Sequence, residues 1–158
     1  MIRRPNGCHW RRLFGRLLCV RQLRFMDGRN DMGVEVKPIP DERPLTDAEH
    51  ELAQWMLEHG EPEAKAFLPQ LRQARVIARC PCGCASIDFE IAGHPRPTGG
   101  LHILADFLFG GESDLSGVFI FECDGVLAGI EVYGLAGAAP KTLPEHASLR
   151  PFGSSPAA

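Results

Sequence analysis

Three of the six cysteines of the chain lie within the five residues Cys80–Cys84, in the sequence CPCGC. Thiolate sulfur is a ligand for zinc and other soft metal ions. In an extended strand, side chains two residues apart point to the same side, so Cys80, Cys82 and Cys84 would face one ion together. The segment is therefore a candidate metal site, and zinc is the ion it would bind.

Two other interpretations of CPCGC stay open. The C-x-C spacing differs from the C-x-x-C of common zinc sites, and Pro81 and Gly83 predict a bend in place of a straight strand. A zinc ion would also need a fourth ligand, for which the near candidates are His94 and His102. A disulfide between cysteines two residues apart would close a strained ring. Free cysteine is often simply buried. The sequence favours packing of small, weakly polar residues at a strand bend over metal binding.

A second candidate site is an acidic face on the predicted sheet. Its members are Asp88, Glu90, Asp106, Glu131 and Tyr133. Strand alternation places these residues on one side of neighbouring strands. Carboxylates around an aromatic side chain suit a basic protein partner, because opposite charge speeds the encounter and the ring provides an anchor. The alternative is a solvated sheet face, covered in part by the C-terminal segment.

The charge of the chain is unevenly distributed. The formal net charge is -3, but eight arginines lie in residues 1–31 against Asp27 and Asp31. The rest of the chain is strongly acidic and would repel phosphate backbones, which argues against nucleic-acid binding. No apolar run has the roughly 18 residues that cross a bilayer, and the clustered cysteines indicate free thiols in a reducing compartment. We therefore predict a cytoplasmic protein without a membrane partner.

The basic head has no signature of a structured segment. We expect residues 1–42 to be a disordered or non-native extension, with translation starting at Met32 or Met26. Residues 43–152 are predicted to form a single α+β domain. Residues 153–158 are predicted to be a disordered tail.

The segment 43–152 begins with a strong helix signal and continues with strand signals. Thr46 and Glu49 have the capping-box spacing ahead of an apolar stripe, and a second helix is predicted to begin at Pro62. After residue 73 the apolar period changes to two, in four or five segments rich in β-branched and aromatic residues. We predict an N-terminal helical hairpin packed on one face of a four- to five-stranded antiparallel sheet.

The dipeptide Asp124-Gly125 predicts a two-residue type I′ turn between the last two strands. That turn would pair Cys123 with Val126. Each step back along the first strand would then be matched by one step forward along the second. The predicted core face carries Phe119, Phe121 and Cys123 with their partners Ile130, Ala128 and Val126. The opposite face of this hairpin would be mixed and acidic.

Three segments of the chain resemble a group of small bacterial proteins of unknown function. They are PLTDAEHELAQWMLEHG, ARCPCGCASIDFEI and DGVLAGIEVYGLAGAAPKTLP. The resemblance covers about residues 43–152. The same segment is also loosely similar to immunity and antitoxin partner proteins. It implies an α+β fold and carries over no catalytic residue.

No pattern in the sequence predicts catalysis. Nucleophilic catalysis needs a thiol or hydroxyl beside an oriented base, and no local signature joins the cysteines to the histidines. Two functions remain as hypotheses: a binding or regulatory module with a protein partner, and a small metal-binding or thiol-dependent protein that uses CPCGC. The sequence does not predict an oligomeric state.

Overall fold

The computed structural model describes residues 37–95 and 99–152. These residues form an antiparallel sheet with helices on one face, as the predicted α+β class requires. Its elements in chain order are β1 (Ile39–Pro44), α1 (Asp47–His59), a 3-10 helix (Pro62–Phe67), α2 (Leu68–Leu71), β2 (Ala74–Arg79), β3 (Ile87–Ile91), β4 (Leu101–Phe109), β5 (Ser116–Cys123), β6 (Val126–Gly134), a 3-10 turn (His146–Ser148) and β7 (Arg150–Pro151). The strand order across the sheet is β1-β2-β3-β6-β5-β4-β7.

The predicted number of four to five strands is wrong, because the described residues form seven. The additional strands include the two edges of the sheet. β1 has the sequence IPDERP, in which Pro40 and Pro44 hide the strand pattern. Proline donates no ladder hydrogen bond and is therefore confined to positions such as an edge strand. β7 has two residues, too few for a period to show.

The predicted N-terminal helical hairpin is also wrong. β1 precedes α1, so the described domain begins with a strand that pairs with β2. The predicted second helix is a six-residue 3-10 helix followed by the four residues of α2. Pro69 limits it, since proline in a helix interior removes one hydrogen bond and clashes with the preceding turn.

The prediction for α1 is confirmed. Thr46 Oγ1 accepts a hydrogen bond from the Glu49 amide, and the Glu49 carboxylate accepts one from the Thr46 amide, which completes the capping box. The apolar side of the helix is buried on the sheet, in a core that it shares with β2–β6. The buried helix residues are Leu52, Ala53, Met56 and Leu57.

The turn at Asp124-Gly125 is confirmed, but the register beyond it is not. Both residues have a positive φ, of 51° and 79°, as a type I′ turn requires. Cys123 pairs with Val126 as predicted. The register then shifts, so Phe121 lies opposite Gly129 and Ala128 is an extra residue in β6. This β-bulge moves every earlier pair by one position.

The predicted core face of the hairpin is also wrong. Val118, Ile120 and Val132 face α1 in the main core, and Ile130 joins them because the bulge pairs it with Ile120. A second apolar cluster lies on the opposite face of the sheet. Its buried members are Phe119, Phe121, Cys123 and Ala128. Both faces of the hairpin are rich in apolar residues, so composition alone does not identify the face that meets the helices.

An ion pair fixes the edge strand β1 to the start of α1. Nη1 and Nη2 of Arg43 each donate to one carboxylate oxygen of Glu49, both at 2.8 Å. Glu49 is 8% exposed, and Thr46 completes its hydrogen bonds. Burial alone would raise the pKa of Glu49. The hydrogen bonds from Arg43 and Thr46 and the charge of Arg43 outweigh burial, so the pKa lies below its ordinary 4.5.

We expect Glu49→Gln to lower the free energy of unfolding at neutral pH by about 2 kcal/mol, because it removes hydrogen bonds to a charged group. A carboxylate whose pKa is lowered in the folded state stabilises the fold above its unfolded pKa, and the contribution is lost as the pH falls through the folded pKa. The free energies of unfolding of the native protein and of Glu49→Gln, measured with urea, should therefore approach each other as the pH falls below the ordinary pKa of 4.5. The exposed Glu58→Gln is the control, and a pH-independent difference would contradict the account.

Strand pairing begins at Ile39, a few residues before the predicted domain start at residue 43. The predictions for residues 1–36 and 153–158 lie outside the described residues. Among the helices of residues 37–95 and 99–152, none combines the length and apolar character that crossing a membrane requires.

Candidate metal centre

The CPCGC segment forms the loop between β2 and β3. The amide of Gly83 donates to the carbonyl of Cys80 at 3.2 Å, which closes a tight turn. Gly83 has a φ of 83°, a conformation that glycine adopts without strain. The amide of Cys80 donates to the carbonyl of Ser86, and the amide of Ala85 donates to the carbonyl of Pro140. The loop is thus fixed at both ends and also to the C-terminal segment.

The turn brings the three thiol sulfurs together. They all lie within 4.8 Å of one another, and the sulfurs of Cys80 and Cys82 are 3.0 Å apart. In the described ranges 37–95 and 99–152, this is the one group of at least three Cys, His, Asp or Glu side chains close enough to share a metal ion. The predicted candidate ligands therefore converge, through a turn and not through strand alternation.

The burial of the three cysteines differs. Cys80 is 5% exposed and Cys84 is 8% exposed, whereas Cys82 is exposed. Packing of small residues at a bend explains the two buried side chains. It does not explain Cys82, whose thiol lies at the surface beside the other two.

Ser86 holds the loop against the sheet through hydrogen bonds of its side chain. It is completely buried, and its hydroxyl oxygen accepts a hydrogen bond from the amide of Val132 at 3.0 Å. The thiol of Cys84 donates to the same oxygen at 3.2 Å. The hydroxyl therefore joins the thiol cluster to strand β6. Nothing in the sequence distinguishes Ser86 from any other polar residue that precedes a strand.

We expect Ser86→Ala to lower the free energy of unfolding by about 1–3 kcal/mol, because it leaves the buried Val132 amide without its acceptor. Ser148→Ala is the matched control, since the Ser148 hydroxyl also bonds to a backbone group, the carbonyl of Glu145, but lies at the surface. We expect that change to stay within about 0.5 kcal/mol. If Ser86→Ala and Ser148→Ala lower the free energy of unfolding, measured with urea, by the same amount, the role of Ser86 is contradicted.

No family model, curated protein or solved structure matches this chain. The resemblance to small bacterial proteins and to immunity partners therefore stays a prediction.

Neither histidine predicted as a fourth ligand lies in the thiol group. His94 follows the far end of β3, beyond Ile91, and is exposed. The ring of His102 lies between two carboxylates, with Nδ1 3.4 Å from Glu122 and Nε2 3.7 Å from Glu63. That contact joins β4 to β5 and to the 3-10 helix that follows α1.

The residues of the predicted acidic face do share one side of the sheet. Asp106 of β4 and Glu131 of β6 both lie opposite Phe119, which belongs to the second apolar cluster. Asp88 lies opposite Gly129 on β6. Paired residues of antiparallel strands point to the same side, so these carboxylates face away from α1.

The exposure of this face is uneven. Glu131 is 5% exposed, Asp88 and Asp106 are half-buried, and Glu90 is exposed. The hydroxyl of Tyr133 donates to Asp106 at 2.9 Å. A buried carboxylate is a poor contact for a docking protein, because its charge is already shielded from a partner. The role of the five residues in binding a basic protein stays a prediction.

Proposed function

We propose that this protein binds a thiophilic metal ion, zinc foremost, through Cys80, Cys82 and Cys84. Sulfur ligands select soft or borderline metals such as zinc and copper(I), and they disfavour magnesium and calcium, which take oxygen ligands. The donor set is thus specific for a class of ion. The observation that carries the proposal is the convergence of three sulfurs within 4.8 Å on one short loop.

The separation of the sulfurs fits an ion after small movements. Two sulfurs on one tetrahedral zinc lie about 3.8 Å apart, since each Zn–S bond is about 2.3 Å. The 3.0 Å between the sulfurs of Cys80 and Cys82 has to widen, and no pair in the group is more than 4.8 Å apart. Each sulfur therefore moves by about 1 Å or less.

The unequal burial suits this function. Cys80 and Cys84 are held inside the loop, which fixes two donors before the ion arrives. Cys82 is exposed and provides the route by which an ion enters. Zinc takes four ligands, so a water molecule or a further side chain completes the coordination.

The test is metal analysis of protein purified without chelator and then equilibrated with zinc. We expect about one zinc per chain, as for a single tetrahedral site. The triple substitution of Cys80, Cys82 and Cys84 by serine should leave no bound zinc. His102→Ala is the control, because His102 is a metal-ligand type outside the thiol group, and it should retain the ion. Native protein without zinc after equilibration would overturn the proposal.

A further inference from the structure

Two of the three thiols are closer to each other than a shared metal ion requires. The sulfurs of Cys80 and Cys82 are 3.0 Å apart. The turn that holds them is closed by the hydrogen bond from Gly83 to Cys80 and contains Pro81, whose ring restricts the backbone. An approach of about 1 Å more would bring the two sulfurs to the length of a disulfide bond.

We propose that Cys80 and Cys82 form a reversible disulfide that excludes the metal ion. The part of this inference that concerns the metal rests on the proposed function; the disulfide itself does not. A ring between cysteines two residues apart is strained, which makes the disulfide easy to reduce. Strained and exposed disulfides are the labile and regulatory ones. The same strain that argues against a permanent cross-link therefore suits a switch.

The chemistry assigns different tasks to the two cysteines, with a peroxide as the oxidant. The thiolate of Cys82, which is exposed, attacks one peroxide oxygen; an S–O bond forms, the O–O bond breaks, and the hydroxide that leaves becomes water on protonation. The thiolate of Cys80 then attacks the sulfenic sulfur. An S–S bond forms, the S–O bond breaks, and a second hydroxide leaves as water. Two electrons pass from the two sulfurs to the peroxide.

This oxidation would remove two of the three sulfur donors at once. A lone Cys84 does not hold zinc in competition with water, because tight zinc sites need several protein ligands. The ion is therefore released when the disulfide forms, and it binds again after a dithiol has reduced the bond. The loop would act as a metal site in reducing conditions and as a disulfide in oxidising ones.

The disulfide is tested on metal-free full-length protein treated with hydrogen peroxide. Cleavage after glutamate releases the peptide 64–90, which holds Cys80, Cys82 and Cys84 and no other cysteine. We expect this peptide to lose the mass of two hydrogen atoms and to regain it with dithiothreitol. Cys84→Ser should keep the change, and Cys80→Ser should abolish it. A peptide without mass loss, or a link that requires Cys84, would overturn the inference.

A second experiment treats zinc-loaded protein with peroxide, and it separates this inference from the proposed function. A chromogenic chelator should report one zinc released for each disulfide formed, and no release on the same time scale from zinc-loaded native protein kept without peroxide. Disulfide formation in a protein that never binds zinc would overturn the proposed function and leave the disulfide standing. Zinc that stays bound in peroxide while no disulfide forms would overturn the inference and leave the proposed function standing.

Discussion

Replacing Cys84 by serine is expected to weaken zinc binding on the order of 100-fold, because a thiolate ligand is lost. Structural zinc sites with four ligands release about 10–16 kcal/mol in total, so each ligand accounts for about 3 kcal/mol, or about 100-fold in affinity. Cys82→Ser should have a similar effect. Since Cys82 is exposed, its substitution should leave the free energy of unfolding of the metal-free protein nearly unchanged.

The measurement is a competition titration against a chelator of known zinc affinity. Cys82→His is the matched variant, because an imidazole replaces the thiol with another zinc ligand at a position with room for it. We expect it to bind more tightly than Cys82→Ser. Equal zinc affinity of the native protein and both serine variants would show that the loop is not the site.

The second large effect is expected from Gly60→Ala at the end of α1. A Cβ atom on Gly60 would lie 2.5 Å from the Cβ of Ala105 and would also meet the carbonyl oxygen of Leu104. That oxygen accepts a hydrogen bond from the amide of Glu61 at 2.8 Å. The helix end therefore rests directly on the backbone of β4. We expect a loss of about 3 kcal/mol in the free energy of unfolding, because the packed backbone has to move.

Gly137→Ala is the control for this prediction, since nothing lies within 4 Å of the added Cβ and the φ of Gly137 is not positive. It should change the free energy of unfolding by about 0.5 kcal/mol or less. Urea unfolding measures both variants. A Gly60→Ala protein as stable as Gly137→Ala would show that α1 does not end against β4 as described.

Local signals in the sequence predicted the local features of the fold. The spacing of Thr46 and Glu49 predicts α1, and Asp124-Gly125 predicts the turn, because capping and φ depend on a few adjacent residues. What failed depends on the rest of the chain. The bulge at Ala128 has no signature in its own residues, and it places Ile130 opposite Ile120 instead of Phe119. Edge strand β1 is hidden by Pro40 and Pro44.

The candidate site also has some features that the sequence predicts and others that it does not. Pro81 and Gly83 predict the bend that holds the three cysteines, and the structure shows that the bend brings their sulfurs together. The sequence favoured packing because it does not show which thiols are exposed. The role of the buried Ser86 hydroxyl depends on Val132 of β6, which lies far away in the chain. Such contacts are visible only in the folded chain.

X-ray absorption spectroscopy at the zinc edge, on zinc-loaded native protein in reducing buffer, tests the central claim most directly. It measures the number, element and distance of the atoms bound to the ion. We predict three sulfur neighbours at about 2.3 Å, and their loss in the triple serine variant. A first shell of nitrogen and oxygen atoms alone, at about 2.0–2.2 Å, would contradict binding by Cys80, Cys82 and Cys84.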